Sequence, residues 1–147
     1  DLNEVVENII NFIAPAITEK HNTIIKELSV IPLILAIDPD RIREALLNII
    51  TNASQATDHG MIIIKTRREE NEAVLELSDT GCGIRPEDLK NIFNPFFTTK
   101  PQGTGLGLAV THKIIQEHDG KIKVESAWGG GTAFKIYFPL EIKKGTN

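Results

Sequence analysis

PDRIREALLNIITNASQAT, Pro39 to Thr57, reads as one helix with two unlike faces, and the rest of the chain is organised around it. At about 100° per residue, Ile42, Ala45, Leu46, Ile49, Ile50, Ala53 and Ala56 form a broad apolar arc, while Glu44, Asn48, Asn52 and Gln55 line up as a narrow polar stripe. An exposed helix face ordinarily carries Lys and Glu. Asparagines at i and i+4 are mediocre helix formers with neutral amide heads, which suit a partly enclosed site. Taken alone, the stripe fits a half-buried face with satisfied amides as well as it fits a ligand site. Asp38 before Pro39 marks the start, as an N-cap followed by proline at the first helical position.

Toward the N-terminus, DLNEVVENIINFIAPAITEK carries Val5, Ile9, Phe12, Ile13 and Ile17 at helical spacing, with a kink expected near Pro15. Thr23 to Ser29 and Leu33 to Ile37 read as two short strands around Pro32. Beyond the turn at Asp58 to Gly60, MIIIKTRREE and EAVLELSD predict an antiparallel hairpin joined at Glu70 and Asn71. In its second strand Ala73, Leu75, Leu77 and Asp79 share one side, which points the Asp79 carboxylate the same way as the core residues. DTGCGI follows at once, and its glycines permit close approach of another molecule to the backbone.

Pro86 to Ile92 predicts a short helix, and FNPFFTTKPQGTGLGL after it has no periodicity; so long a loop in a compact domain is more often functional than idle. Gly103, Gly105 and Gly107 open onto the helix LGLAVTHKIIQEHD, whose first-turn amides are available to an anion. KIKVES and GTAFKIYF form a second hairpin around AWGGG, with Thr132 on the inward side beside Phe134, Ile136 and Phe138.

The 147 residues, 41% hydrophobic and 24% charged, fit one globular domain over 1–142, with 143–147 as a polar tail. A net charge of −4 leaves no electrostatic footprint for nucleic acid or an anionic membrane, so any phosphate site is local. One cysteine, Cys82, excludes an internal disulfide and a cysteine-based zinc cluster, and no apolar run approaches the ~20 residues that span a bilayer. A soluble, cytoplasmic chain is expected, and its start at Asp1 rather than Met suggests a piece of something longer.

Singly, each glycine cluster has a structural explanation as a turn or hinge. GTGLGL is neither a Walker A loop, which needs Gly-Lys-Ser/Thr, nor a Rossmann fingerprint, which needs a preceding strand and another glycine spacing. In order and spacing, however, NIITNA (Asn48 to Ala53), DTGCG (Asp79 to Gly83), FNPFF (Phe93 to Phe97), GTGLGL (Gly103 to Leu108) and GGGT (Gly129 to Thr132) resemble the N, G1, F, G2 and G3 boxes of sensor histidine kinases. The resemblance covers nearly the whole chain. It is to the catalytic and ATP-binding domain of these kinases, in the superfamily that includes gyrase B subunits and mismatch-repair ATPases.

That resemblance implies an α/β (α+β) two-layer sandwich of the Bergerat type, a mixed, mostly antiparallel sheet with three main helices on one face. It implies ATP and Mg²⁺, with Asp79 accepting the adenine amino group, Asn52 giving its amide oxygen to Mg²⁺, and Asn48 positioning the acceptor or the metal shell. Guanine has a carbonyl oxygen where adenine has its amino group, so two acceptors would face each other at Asp79. The implied nucleotide contacts also include Asn48, Gly81, Gly83, Ile84, Phe93, Thr98, Thr99, Lys100, Gly103, Thr104, Gly105, Leu106, Gly107, Leu108 and Thr132. Lys100 is the candidate for direct charge on the β- and γ-phosphates; its alternative is a solvated loop lysine.

In the water-hydrolysing members, the position one turn before the metal asparagine is a glutamate. Here it is Asn48, whose amide is no base, which argues for transfer rather than hydrolysis. Glu44, one turn further back, keeps a water-mediated role open beside the plainer reading as a helix-start glutamate. The acceptor implied is a histidine followed by an acidic residue, on a separate dimerisation domain. None of His21, His59, His112 or His118 is so followed, so they read as surface or cap histidines and the acceptor lies elsewhere. A response regulator receiver domain is the implied downstream partner, and the parent kinase could be membrane-anchored. Two departures stand out: Gln55, where many relatives have a basic residue, and Asp119, where a glycine often precedes Gly120. An ATPase or anti-sigma-type serine kinase of the same superfamily, and a nucleotide-binding module without chemistry, remain the alternatives.

Overall fold

The computed structural model describes residues 1–98 and 105–141. Helix α1 (Leu2–Glu19) is followed by strand β1 (Thr23–Glu27), helix α2 (Pro39–Ala56), the hairpin β2 (Met61–Glu69) and β3 (Glu72–Asp79), the four-residue helix α3 (Pro86–Leu89), helix α4 (Gly107–Glu117), and a second hairpin, β4 (Lys121–Ser126) and β5 (Thr132–Pro139). The five strands form one sheet in the order β1-β2-β3-β5-β4. Only the β1–β2 pair is parallel.

Strand alternation sends one set of side chains from each strand to the same face. In register across β2, β3, β5 and β4 lie the rows Ile64, Leu77, Phe134, Val124 and Thr66, Leu75, Ile136, Ile122. A third row, at the end of the sheet, runs Ile62, Asp79, Thr132, Ser126. Helices α1, α2 and α4 cover this face. The opposite face carries Arg67 paired with Glu76 at 2.7 Å and Lys123 over the Tyr137 ring, as suits a solvated layer. The expected two-layer sandwich, with its mixed, mostly antiparallel sheet and three main helices, is therefore the observed one.

The apolar arc of α2 is the centre of the core. Ile42, Ala45, Leu46, Ile49, Ile50 and Ala53 are buried, and at about 1.5–3 kcal/mol for each large side chain this face holds the two layers together. The start of α2 is as the sequence marks it: Asp38 Oδ1 accepts from Asp40 N and Arg41 N, with Pro39 in the first turn.

Three expectations change. Leu33–Ile37 is not a strand, although burial alternates through Leu33 and Leu35. Its backbone bonds go to Leu2, which donates to Leu33 O, and to Glu141, which donates to Ile34 O, so no ladder forms. β1 stops at Glu27 because the Ser29 N–H turns to the Thr66 hydroxyl at 2.8 Å. The helix expected over Pro86–Ile92 ends at Leu89 and gives way to successive tight turns, with Asn91 N bonded to Asp88 O and Asn94 N to Asn91 O. Asn91, Asn94 and Pro95 favour such turns over a continued helix.

Candidate functional site

The site is assembled at the end of the sheet, where β3 delivers Asp79. Parity places its carboxylate inward, 9% exposed, among the groups of the third row. Oδ1 accepts from Gly81 N at 2.8 Å, and Thr132 stands opposite on β5, its backbone N–H close enough to act on the carboxyl. Burial raises the Asp79 carboxyl pKa above its ordinary value; the two backbone donors pull it back, and burial prevails. A buried carboxyl with lone pairs to spare is suited to a ligand that brings a donor.

The chain after Asp79 is held by backbone contacts. Cys82 N donates to Ala56 O at 3.1 Å, tying the turn to the end of α2, and Gly129 N donates to Cys82 O. Two glycines are required here by geometry. Gly83, at φ 77, has the Ala127 carbonyl where a Cβ would stand; Gly131, at φ 84, has the backbone carbonyl of Asp79 itself there. The DTGCG and GGGT motifs are thus two halves of one close-packed turn. Cys82 is exposed beside it.

From the Ala56 carbonyl the α2 stripe runs back along the helix axis, reaching Asn52 after about 6 Å and Asn48 after about 12 Å. Both are half-buried, whereas Glu44 and Gln55 at the ends of the stripe are exposed. Asn48 Nδ2 donates to Gly107 O at 3.2 Å and lies 3.4 Å from Thr111 Oγ1, so the α2 stripe meets the N-terminus of α4. Fully buried Thr111 reaches Gly107 O at 2.9 Å and Ala45 O at 3.3 Å. Leu106 stands at the N-cap of α4, whose first turn carries the partial positive charge of the helix and so is the end that favours an anion.

Between the two ends lies the FNPFF segment. The Phe93 ring packs 5.1 Å from that of His112 on α4 and meets Phe134 on β5 edge-on at 6.4 Å. Phe96, left-handed at φ 67, donates its N–H to Gly105 O at 2.9 Å and so brings the two described borders on either side of 99–104 together. Thr98 is exposed on the near border, and Leu108 packs on the core at the far one. Thr99, Lys100, Gly103 and Thr104 lie outside the described residues.

The far end of α4 is pinned to the start of α2. His118 Nδ1 lies 2.7 Å from Ile114 O, so it carries the proton; Nε2 then accepts from Asp38 N at 3.1 Å. Beside it Arg41 pairs with Glu117 at 3.0 Å. Asp119 follows at φ 59, the left-handed conformation in which the expected glycine would sit without strain. His21 and His59 stack on each other at 4.8 Å.

The structure therefore gathers Asp79, Gly81, Gly83, Ile84 and Thr132 near the C-terminal end of α2 and Asn48, Gly107 and Leu108 about two turns back along it, with Asn52 between them on the same stripe. The donor set fits an adenine nucleotide: a buried carboxylate for an amino group, amides that carry no charge of their own, and a helix start for phosphates. Asn52 supplies a neutral amide oxygen, a hard donor of the kind magnesium takes beside phosphate oxygens and water; among the described residues no group of three His, Cys, Asp or Glu could hold a metal ion.

Two residues that matter were not singled out from the sequence. Thr111 ties α2 to α4, and Ser126 bonds the Ile84 N–H at 2.7 Å. The signal for Ser126 was present, since Ile122, Val124 and Ser126 share the inward side of β4.

The sequence profile of the histidine kinase-, DNA gyrase B-, and HSP90-like ATPases matches residues 37–142. Sensor histidine kinase ZraS of Escherichia coli O157:H7 is 43% identical over 108 residues, which make up 73% of this chain and 24% of that protein. This chain thus spans about a quarter of the length of the curated relatives it matches. The solved catalytic domain of histidine kinase ThkA superposes with a TM-score of 0.86 at 33% identity, covering 95% of this chain and 93% of that one. ThkA in complex with the response regulator protein TrrA superposes with a TM-score of 0.80 at 27% identity, over 98% of this chain and 42% of that one.

Proposed function

Because this chain belongs to the histidine kinase-, DNA gyrase B- and HSP90-like ATPase family, as a catalytic and ATP-binding domain of the histidine-kinase kind, we propose that it presents the γ-phosphoryl group of magnesium ATP to a histidine on a separate dimerisation domain of the same kinase. From there the phosphoryl group passes to an aspartate of a response regulator receiver domain. The reaction takes place on the cytoplasmic side, whether or not the parent kinase is membrane-anchored. Among the described residues no helix is long and apolar enough to cross a membrane.

The observation that carries this reading is Asp79, a buried carboxylate held by the Gly81 N–H at 2.8 Å, at the end of the α2 stripe that carries Asn52 and Asn48. Asp79 binds and selects the base. Gly81 and Gly83 carry no side chain, so the turn that contains them would let a base approach the backbone. Asn52 offers an amide oxygen to magnesium, which when bound neutralises charge on the triphosphate. The N-terminal amides of α4 hold the phosphates, and Lys100 adds a point charge there.

Asn48 has its amide committed to the Gly107 carbonyl at 3.2 Å. It positions the phosphate-holding helix and cannot take a proton from water. Phosphoryl transfer needs alignment and charge neutralisation more than an acid or base, so these groups suffice for a transfer and not for hydrolysis. Glu44, exposed on the stripe, stays in solvent.

The test is to mix this chain with a separately produced dimerisation domain carrying the acceptor histidine, with γ-labelled ATP and Mg²⁺. Acid-labile label on that domain, passing on to a receiver domain, is the expected result. ATP bound with no labelled histidine would mean a nucleotide-binding module; released phosphate alone would mean an ATPase.

A further inference from the structure

The polar part of the third cross-strand row contains one residue with no part in the mechanism above. Asp79, Thr132 and Ser126 stand in register on β3, β5 and β4, all on the helix-facing side. Ser126 Oγ accepts from Ile84 N at 2.7 Å and lies 2.9 Å from both Gly131 O and Thr132 Oγ1.

A hydroxyl has one proton and two lone pairs. Gly131 O can only accept, so at 2.9 Å the Ser126 proton must point there, or two acceptors would face each other. One lone pair of Ser126 is already taken by the Ile84 N–H. The other is then left for the Thr132 hydroxyl, which becomes the donor in that contact. With its proton used, Thr132 Oγ1 can turn only lone pairs toward a ligand at Asp79, its cross-strand partner.

We propose that Ser126 is a positioning residue for base specificity: by taking the Thr132 proton it makes the wall beside Asp79 an acceptor-only surface, and by holding the Ile84 N–H it keeps the DTGCGI turn against that wall. Ser126 touches no nucleotide itself. Such a wall accepts an exocyclic amino group and repels the carbonyl oxygen that guanine or hypoxanthine carries at the same place. This rests on the adenine reading of Asp79 and extends it.

The test is calorimetric titration with ATP and with inosine triphosphate, which replaces the amino group by a carbonyl. It compares the unaltered chain with Ser126→Ala, Ser126→Thr and Asp79→Asn. Ser126→Ala frees the Thr132 proton to donate to a carbonyl, so the ratio of the two dissociation constants is expected to narrow by about tenfold. Ser126→Thr restores the hydroxyl and the ratio. A merely structural role would weaken both nucleotides alike and leave the ratio unchanged, which overturns the proposal. Should Ser126→Ala not fold, Ser126→Cys keeps the shape with a poor hydrogen-bonding group and is read the same way. If Asp79→Asn also leaves the ratio unchanged, the adenine reading itself fails; if it collapses the ratio while Ser126→Ala does not, only the role of Ser126 fails.

Discussion

Replacing Asp79 by Asn removes a charge while changing almost no volume, and its effects on binding and on stability should have opposite signs. The carboxylate is 9% exposed and its Oδ1 already accepts from Gly81 N, so an amide keeping its oxygen on Gly81 must turn its NH₂ to where Oδ2 stood. The bond lost is one between a donor and a charged acceptor, worth about 1.5–3 kcal/mol, which raises the ATP dissociation constant roughly 10- to 150-fold. Stability runs the other way. Burial raises the folded-state pKa of this carboxyl, so the folded protein holds the proton more tightly than the unfolded chain does. Between the unfolded and folded pKa values, stability therefore falls as pH rises, and above both the ionised group remains a cost to the ligand-free fold. Ligand-free Asp79→Asn should melt no lower than the parent near pH 7, and its relative advantage should shrink on acidification through that window. Calorimetric binding and melting curves across pH read both quantities. Retention of ATP affinity within about threefold, together with a clearly lower melting point near pH 7, would show that Asp79 serves the fold and refute its assignment to the base.

Three further substitutions test the frame around the site. Thr111→Val keeps the shape of a fully buried side chain and removes its bonds to Gly107, Ala45 and Asn48; a loss of about 1 kcal/mol in urea unfolding is expected, with weaker ATP binding as the N-terminus of α4 loosens. Gly131→Ala puts a Cβ on the Asp79 carbonyl at a left-handed position, and denaturation should show a loss of about 2 kcal/mol or more accompanied by loss of nucleotide binding. Arg41→Ala breaks an ion pair whose two side chains are 44% and 43% exposed; it should change unfolding free energy by less than about 1 kcal/mol, less still in high salt.

What could be read from the chain was whatever depends on local periodicity. The two faces of α2 follow from spacing alone, and so does the inward aim of Asp79, because strand parity carries a side chain's direction through to the end of β3. The order of five short motifs then implied a nucleotide groove. Leu33–Ile37 misled because alternation reports burial on one side and not the presence of a neighbouring strand; here the partners of Leu33 and Ile34 are Leu2 and Glu141. The roles of Thr111 and Ser126 were hidden for another reason. A lone hydroxyl on an otherwise apolar face is an ordinary filler until the partner brought by distant chain is known, and for Ser126 those partners, Ile84 and Gly131, come from two separate glycine motifs.

The strand order has a consequence for how such a chain becomes itself. β5, the last of these five strands in sequence, lies between β3 and β4, and the bonds joining α2 to α4 link residues 59, 76 and 80 positions apart. Contacts that distant give a high contact order, so folding on the millisecond-to-second scale is expected rather than microseconds. During synthesis α2 and the β2–β3 hairpin can form early, but one edge of β3 stays open until β5 has been made. A chain interrupted between the two would expose that edge, a template for pairing with its own kind, and should aggregate rather than persist as a partial nucleotide binder.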